Sequence, residues 1–174
     1  MNRAQLMVIL VLNGIAFSTV AAKAQDEGKL TLSDKHKAWT LGCYAKTAKT
    51  VKRCGIHQET VDSQGRGSKA ALFYVVKKGD NVATQYVFEF LSPLGLLVDR
   101  NMEIELDRRA VGETHFLYCK QNGCRADFDL SGNEIKPYLN GREMIFRVKY
   151  TPDKALEYKF SLYGLTSGTR QLEK

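Results

Sequence analysis

The chain has 174 residues with 26 Lys and Arg against 19 Asp and Glu, a net charge of +7. That length suits one domain with its own core and leaves little room for a second. The charge excess is moderate and comes without a nucleic-acid recognition motif. It therefore favours at most loose association with anionic surfaces such as lipid head groups, polyanionic glycans or acidic proteins.

Residues 1–24 read as a removable export signal. Arg3 supplies the basic start, Leu6 to Val20 an uncharged apolar run, and Ala22-Lys23-Ala24 the small-x-small cleavage pattern, with the cut expected before Gln25. The apolar run is short for a membrane span and is interrupted by Asn13 and Gly14. No Leu-x-x-Cys pattern closes it, and no later segment is apolar enough to span a bilayer, so the mature chain is expected to lack a transmembrane segment. Cleavage removes Arg3 and Lys23 and leaves residues 25–174 at +5. A chain exported to an oxidising compartment keeps disulfides, so Cys43, Cys54, Cys119 and Cys124 are read as two bridges.

Residues 25–37 are polar and charged and read as a loose leader; the folded domain is expected over 38–174. Beyond the leader the dominant pattern has period two. Met102, Ile104 and Leu106 alternate with Glu103, Glu105 and Asp107. Cys124, Ala126, Phe128 and Leu130 alternate with Arg125, Asp127 and Asp129. Met144, Phe146, Val148 and Tyr150, then Leu156, Tyr158, Phe160 and Leu162, repeat the pattern. Each run has one apolar and one wet face, the mark of antiparallel sheet packed on one side.

Ala70 to Val76 and Val82 to Leu91 carry apolar residues on both faces and read as central strands, joined by a turn at Lys78-Gly79-Asp80-Asn81. Gln64 to Ser68 reads as a flexible loop. Asn122-Gly123 favours a tight hairpin turn, and Thr151-Pro152-Asp153-Lys154 another reversal. Ser131 to Leu139 holds at most one short helical turn because of Pro137, and Leu165 to Leu172 another. Many short strands and few helices predict an all-β fold: a single antiparallel β-sandwich or flattened barrel, stapled by disulfides.

Four cysteines allow three pairings, and their number alone does not choose among them. Cys119 and Cys124 bracket the four residues Lys120 to Gly123, a hairpin loop that brings its flanks face to face. Cys43 and Cys54 lie at the facing ends of a short loop rich in Lys and Thr. Geometry thus prefers the local pairs 43–54 and 119–124. Neither pair has the Cys-x-x-Cys spacing of redox exchange or of zinc ligation.

The search for chemistry is otherwise empty. His36, His57 and His115 belong to no ligand or catalytic motif, and there is no Gly-x-Ser-x-Gly elbow or Ser-x-x-Lys pair. Gly65 and Gly67 lack the third glycine of a phosphate cradle. Glu103, Glu105 and Asp107 form an acidic stripe that an acid/base site would use; the wet face of a strand opposite Arg147 and Lys149 explains it more simply. Arg108-Arg109, and Arg125 with Arg142, are candidates for an anion patch or ordinary solvated charge. Trp39 shares strand parity with Leu41 and Cys43 and reads as a core anchor.

Trp39-x-Leu41-x-Cys43, Cys54, Gln58, Ser92-Pro93-Leu94-Gly95-Leu96, the Met102-Ile104-Leu106 strand, Cys119, Gly123-Cys124-Arg125-Ala126, Leu139-Asn140-Gly141 and Phe160-Ser161-Leu162-Tyr163-Gly164-Leu165 follow one another in an order that resembles the invasion-associated locus B proteins of Gram-negative bacteria. The resemblance runs over nearly all of the mature chain, with Leu165 where the family often has Phe. It implies a small, exported, mostly β domain in the periplasm or at the outer membrane, with some members involved in attachment to or invasion of host cells. The family supplies no catalytic residues, so none is carried over.

The expectation is therefore an exported non-catalytic envelope protein with no cofactor or metal. Its partner would be an envelope or host-surface protein or an anionic surface. The alternatives are a periplasmic assembly factor binding client strands, and an envelope hydrolase using the acidic strand face.

Overall fold

The structure, a computed structural model, describes residues 29–45, 53–77 and 83–174. The expected export signal and the turn at 78–81 lie outside the described residues. Among the described residues, eleven strands and two short helices follow in chain order: β1 (Lys29–His36), β2 (Trp39–Ala45), β3 (Arg53–Val61), β4 (Gly67–Lys77), β5 (Ala83–Ser92), β6 (Met102–Leu106), β7 (Arg109–Thr114), β8 (Phe116–Lys120), β9 (Gly123–Ser131), α1 (Lys136–Asn140), β10 (Glu143–Thr151), β11 (Lys154–Ser161) and α2 (Leu165–Leu172). They form two antiparallel sheets, β1-β2-β3-β4-β5-β9-β8 and β11-β10-β6-β7, packed face to face as a β-sandwich.

The period-two pattern places the core. On the large sheet Trp39, Ile56, Leu72, Phe88 and Phe90 point inward and are buried; on the small sheet Met102, Met144, Phe146, Tyr158 and Phe160 answer them. Phe90 is the hub: its ring stacks on Phe146 at 4.3 Å and meets Tyr158 at 5.5 Å and Phe160 at 6.2 Å. Burying each such aromatic side chain contributes about 2–3 kcal/mol.

Four strands cannot cover seven, and the helices fill the difference. α2 packs against β1 to β4, with Gly168 so close to Ile56 that a methyl group there would sit 3.0 Å from its Cγ2. Tyr86 on β5 donates a 2.6 Å hydrogen bond to Glu173 just past α2, which pins the helix down. α1 presents Tyr138 to Phe88 and Phe128.

β11 is joined to the large sheet by side chains. The Gln58 amide donates to the Ser161 carbonyl and accepts from the Ser161 N–H, both at 2.8 Å, so it pairs with β11 as a neighbouring strand would. Trp39 Nε1 donates to the same carbonyl at 2.8 Å. Farther along, the Tyr158 hydroxyl donates to the Asp62 carboxylate at 3.1 Å. Gly164 follows with φ 97°, because any side chain there would collide with the His36 carbonyl.

Several local expectations need correction. The leader expected over 25–37 is not loose throughout: Lys29–His36 pairs with β2 as the edge strand β1. An edge tolerates exposed charges such as Asp34 and Lys35, which disguised it. Gln64 to Ser68 is not a flexible loop. The Asp62 carboxylate accepts the backbone N–H of Gln64 and of Arg66 and the Arg66 guanidinium, and Gly67 and Ser68 already belong to β4. The β8–β9 turn is made by Gln121 and Asn122, since Lys120 and Gly123 are paired. Only Gly123 there takes a positive φ, lying against the Ser92 carbonyl where no side chain fits.

The disulfides stay within their local units, Cys43 with Cys54 across β2–β3 and Cys119 with Cys124 across β8–β9. Their sequence separations are 11 and 5, so loop closure gives about 3 kcal/mol for the first and about 2 kcal/mol for the second. Equilibrium urea unfolding of the two double Cys→Ser proteins is expected to return losses in that order.

Candidate functional site

The acidic stripe is a neutralised strand face. Register sets Glu103 on β6 opposite Arg147 on β10, and Arg147 opposite Glu157 on β11. The Arg147 guanidinium meets Glu105 and Glu157 at 2.6 Å and Glu103 at 3.7 Å. A hydrogen bond from Lys159, opposed by partial burial and supported by Arg147, holds the Glu157 carboxyl below its ordinary pKa. Asp107 instead accepts the backbone N–H groups of Arg142 and Glu143, each at 3.0 Å. The carboxylates surround a guanidinium on an open face and do not converge in a cleft.

The histidines stay apart. His36 ends β1 beside Asp34, His57 lies on the outer face of β3, and His115 is exposed at the corner between β7 and β8. Burial, with Lys69 nearby, lowers the His57 pKa, so its ring is neutral at physiological pH. No group of three or more His, Cys, Asp or Glu among the described residues is arranged to hold a metal ion. No helix among them is long and apolar enough to cross a membrane.

Arg125 and Arg142 are not brought together. Arg142 precedes β10 in the small sheet and shares a groove with Arg108. Arg125 stands on the outer face of the large sheet, at the floor of a groove of about 810 Å³ beside the β8–β9 hairpin. It forks onto Asp127 through Nε at 2.8 Å and Nη2 at 2.7 Å, and Nη2 also reaches Glu89 at 2.7 Å. Tyr118, 44% exposed, leans over Arg125 with its ring centroid 6.0 Å from the guanidinium and 5.2 Å from the Lys120 amine. Lys69 closes the other side, paired with Glu59 at 2.9 Å. The Cys119–Cys124 bridge staples the hairpin that forms the wall of this groove.

Glu89, Asp127 and Tyr118 escaped the sequence reading as site residues. Asp127 was legible, two residues from Arg125 on one strand face. Glu89 stood as a lone acid within an apolar strand, a signal without an evident partner until register sets Glu89 against Asp127.

The chain has relatives. A family profile described as Invasion associated locus B (IalB) protein matches residues 39–173, from the tryptophan that meets Ser161 to the end of α2. No curated protein matches. Among solved structures, the crystal structure of invasion associated protein B from Bartonella henselae is similar with a TM-score of 0.66. The likeness covers 82% of this chain and 95% of that one at 20% identity, which bears on the fold alone. With the profile spanning the whole described sandwich apart from β1, the chain belongs to the invasion associated locus B (IalB) family.

Proposed function

We propose that this protein is an exported, non-catalytic component of the bacterial envelope that contributes to host-cell attachment or invasion by binding through the outer face of its large sheet. Family membership supports the association with invasion. Two disulfides and no free cysteine support an oxidising compartment. The reading of residues 1–24 as a cleaved signal makes that compartment the periplasm or the outer membrane.

The observation that carries binding over turnover is the pairing of charge. The carboxylates of the acidic stripe and of the Arg125 groove are fixed by guanidinium or backbone partners, whereas a general acid needs a carboxyl held in its neutral form. The groove offers instead a disulfide-stapled wall with an exposed aromatic ring beside the Lys120 amine, features that suit recognition.

The strand-lending alternative has less support because the edges are blunted. β8 has five residues and a bulge, β7 a bulge with exposed Arg109 and Glu113, β1 a bulge with exposed charges, and β11 is capped by Gln58.

A deletion strain tests the reading. It is expected to invade host cells several-fold less than the parent. Wild-type protein should restore invasion, and a Tyr118→Ala/Lys120→Glu protein exported at equal level should not. Normal invasion by the deletion strain overturns the attachment role. Turnover of a cell-wall or lipid substrate, lost in Glu103→Gln or Glu105→Gln, establishes the hydrolase instead.

A further inference from the structure

The β6–β7 hairpin carries an arginine where its geometry calls for glycine. Leu106 pairs with Arg109, so the turn has two residues, Asp107 and Arg108, with φ 49° and 67°. A two-residue turn with both φ positive is type I′, whose second position is glycine by strong preference because side chains crowd the backbone there. The turn is also locked. Asp107 N–H donates to the Glu143 carbonyl at 3.0 Å, and the Asp107 carboxylate accepts from the N–H of Arg142 and of Glu143. Three hydrogen bonds, all made by Asp107, hold this disfavoured turn and so fix where the Arg108 backbone lies.

Arg108 faces a groove of about 720 Å³ whose other walls are Asp107, Asn140, Arg142 and Glu143. Arg66, Arg100, Arg125 and Arg147 all have carboxylate partners, whereas the side chains of Arg108 and Arg142, like those of Arg109 and Arg170, have none among the described residues, and Arg108 and Arg142 share this groove. Every lining residue is polar, which suits a hydroxylated ligand and not an acyl chain or an apolar side chain. The two arginines and two carboxylates of the lining sum to zero charge. A dense polyanion therefore gains little here, whereas one oxyanion on the guanidinium side leaves the carboxylates to accept hydroxyl groups.

We propose that Arg108, Arg142 and Asn140 form a binding site for a sugar carrying a single oxyanion, such as a carboxylate. The site lies on the small sheet, a second surface, and the proposal goes beyond the large-sheet binding role argued above. Binding in solution and invasion in cells are measured separately, so either can fail alone.

The test is amide-resolved NMR titration of the purified, oxidised protein with N-acetylneuraminic acid, glucuronic acid and galactose. The two acidic sugars are expected to shift signals of residues 107–109 and 140–143, and galactose is not. Arg142→Ala and Arg108→Gly should each weaken binding at least about tenfold, the loss expected for a charge-assisted contact. Arg108→Gly should also raise Tm by about 1–3 °C, because glycine relieves the turn. Stability gained while binding is lost separates a ligand contact from a structural role. Equal response to galactose, no response to either acid, or binding unchanged in both variants overturns the proposal. So does binding to anionic phospholipid vesicles that Arg108→Gly abolishes while the sugars fail, which would assign the arginines to a lipid headgroup.

Discussion

Trp39→Ala is expected to cost about 4 kcal/mol, a large share of the 5–15 kcal/mol that holds an ordinary domain together. Trp39 is fully buried, its ring meets Phe88 at 6.4 Å edge-on, and its indole N–H reaches across the sandwich to the Ser161 carbonyl. Truncation leaves a cavity that neighbours in two sheets cannot collapse into. Trp39→Phe keeps much of the volume and loses the hydrogen bond, for about 1–2 kcal/mol; Gln58→Ala, at a more exposed position, costs a similar amount. The double variant Trp39→Phe/Gln58→Ala should lose more than the sum. Ser161 has two donors, and only the second deletion leaves its carbonyl unpaired. Urea unfolding of the four proteins closes the cycle, and simple additivity would refute a shared role at Ser161.

That seam explains why pieces of sequence far apart read as one pattern. Trp39, Gln58 and Ser161 lie up to 122 residues from one another along the chain, and their adjacency is a consequence of sheet packing. Alternation alone identified the inward faces correctly, because a period of two depends only on which side of a strand meets water. It could not say which strands neighbour each other. The order β5-β9-β8 in one sheet and β10-β6-β7 in the other comes from the chain crossing between sheets through residues 93–101, at His115 and through α1, and no local pattern encodes a crossing. β1 was missed for a related reason. A strand at an edge is selected against hydrophobic exposure, so its charges imitate a linker.

Less of the site was legible. Arg125, Glu103 and Glu105 were visible as charges, but what a charge does depends on its partner, and partners lie on other strands. Register decided that Glu103 and Glu157 flank Arg147 and that Glu89 and Asp127 hold Arg125. The hairpin Asp107-Arg108 read simply as the end of an acidic stripe and the start of a basic pair. Its positive φ angles depend on the two-residue turn, which sequence suggests only when the second residue is glycine.

Asp62→Asn is expected to destabilise the protein by about 3 kcal/mol at neutral pH, and the loss should fade in acid. Burial disfavours the charged carboxylate of Asp62, but the N–H groups of Arg66 and Gln64, the Arg66 guanidinium and the Tyr158 hydroxyl outweigh it and hold the pKa below its usual 3.8. The asparagine keeps an acceptor for the two backbone donors and turns an NH2 group toward the Arg66 guanidinium, so a buried donor faces a donor, and Tyr158 loses its carboxylate acceptor. A carboxyl with a depressed folded pKa stabilises fully above its unfolded value, and that contribution disappears as pH falls through the folded value. The gap between wild type and Asp62→Asn should thus be constant from about pH 5 to pH 8 and narrow below about pH 4. Tm measured across that range for both proteins checks the sign. A gap that stays level or widens in acid would mean that Asp62 does not act through its charge, and that the β3–β4 turn is held by shape alone.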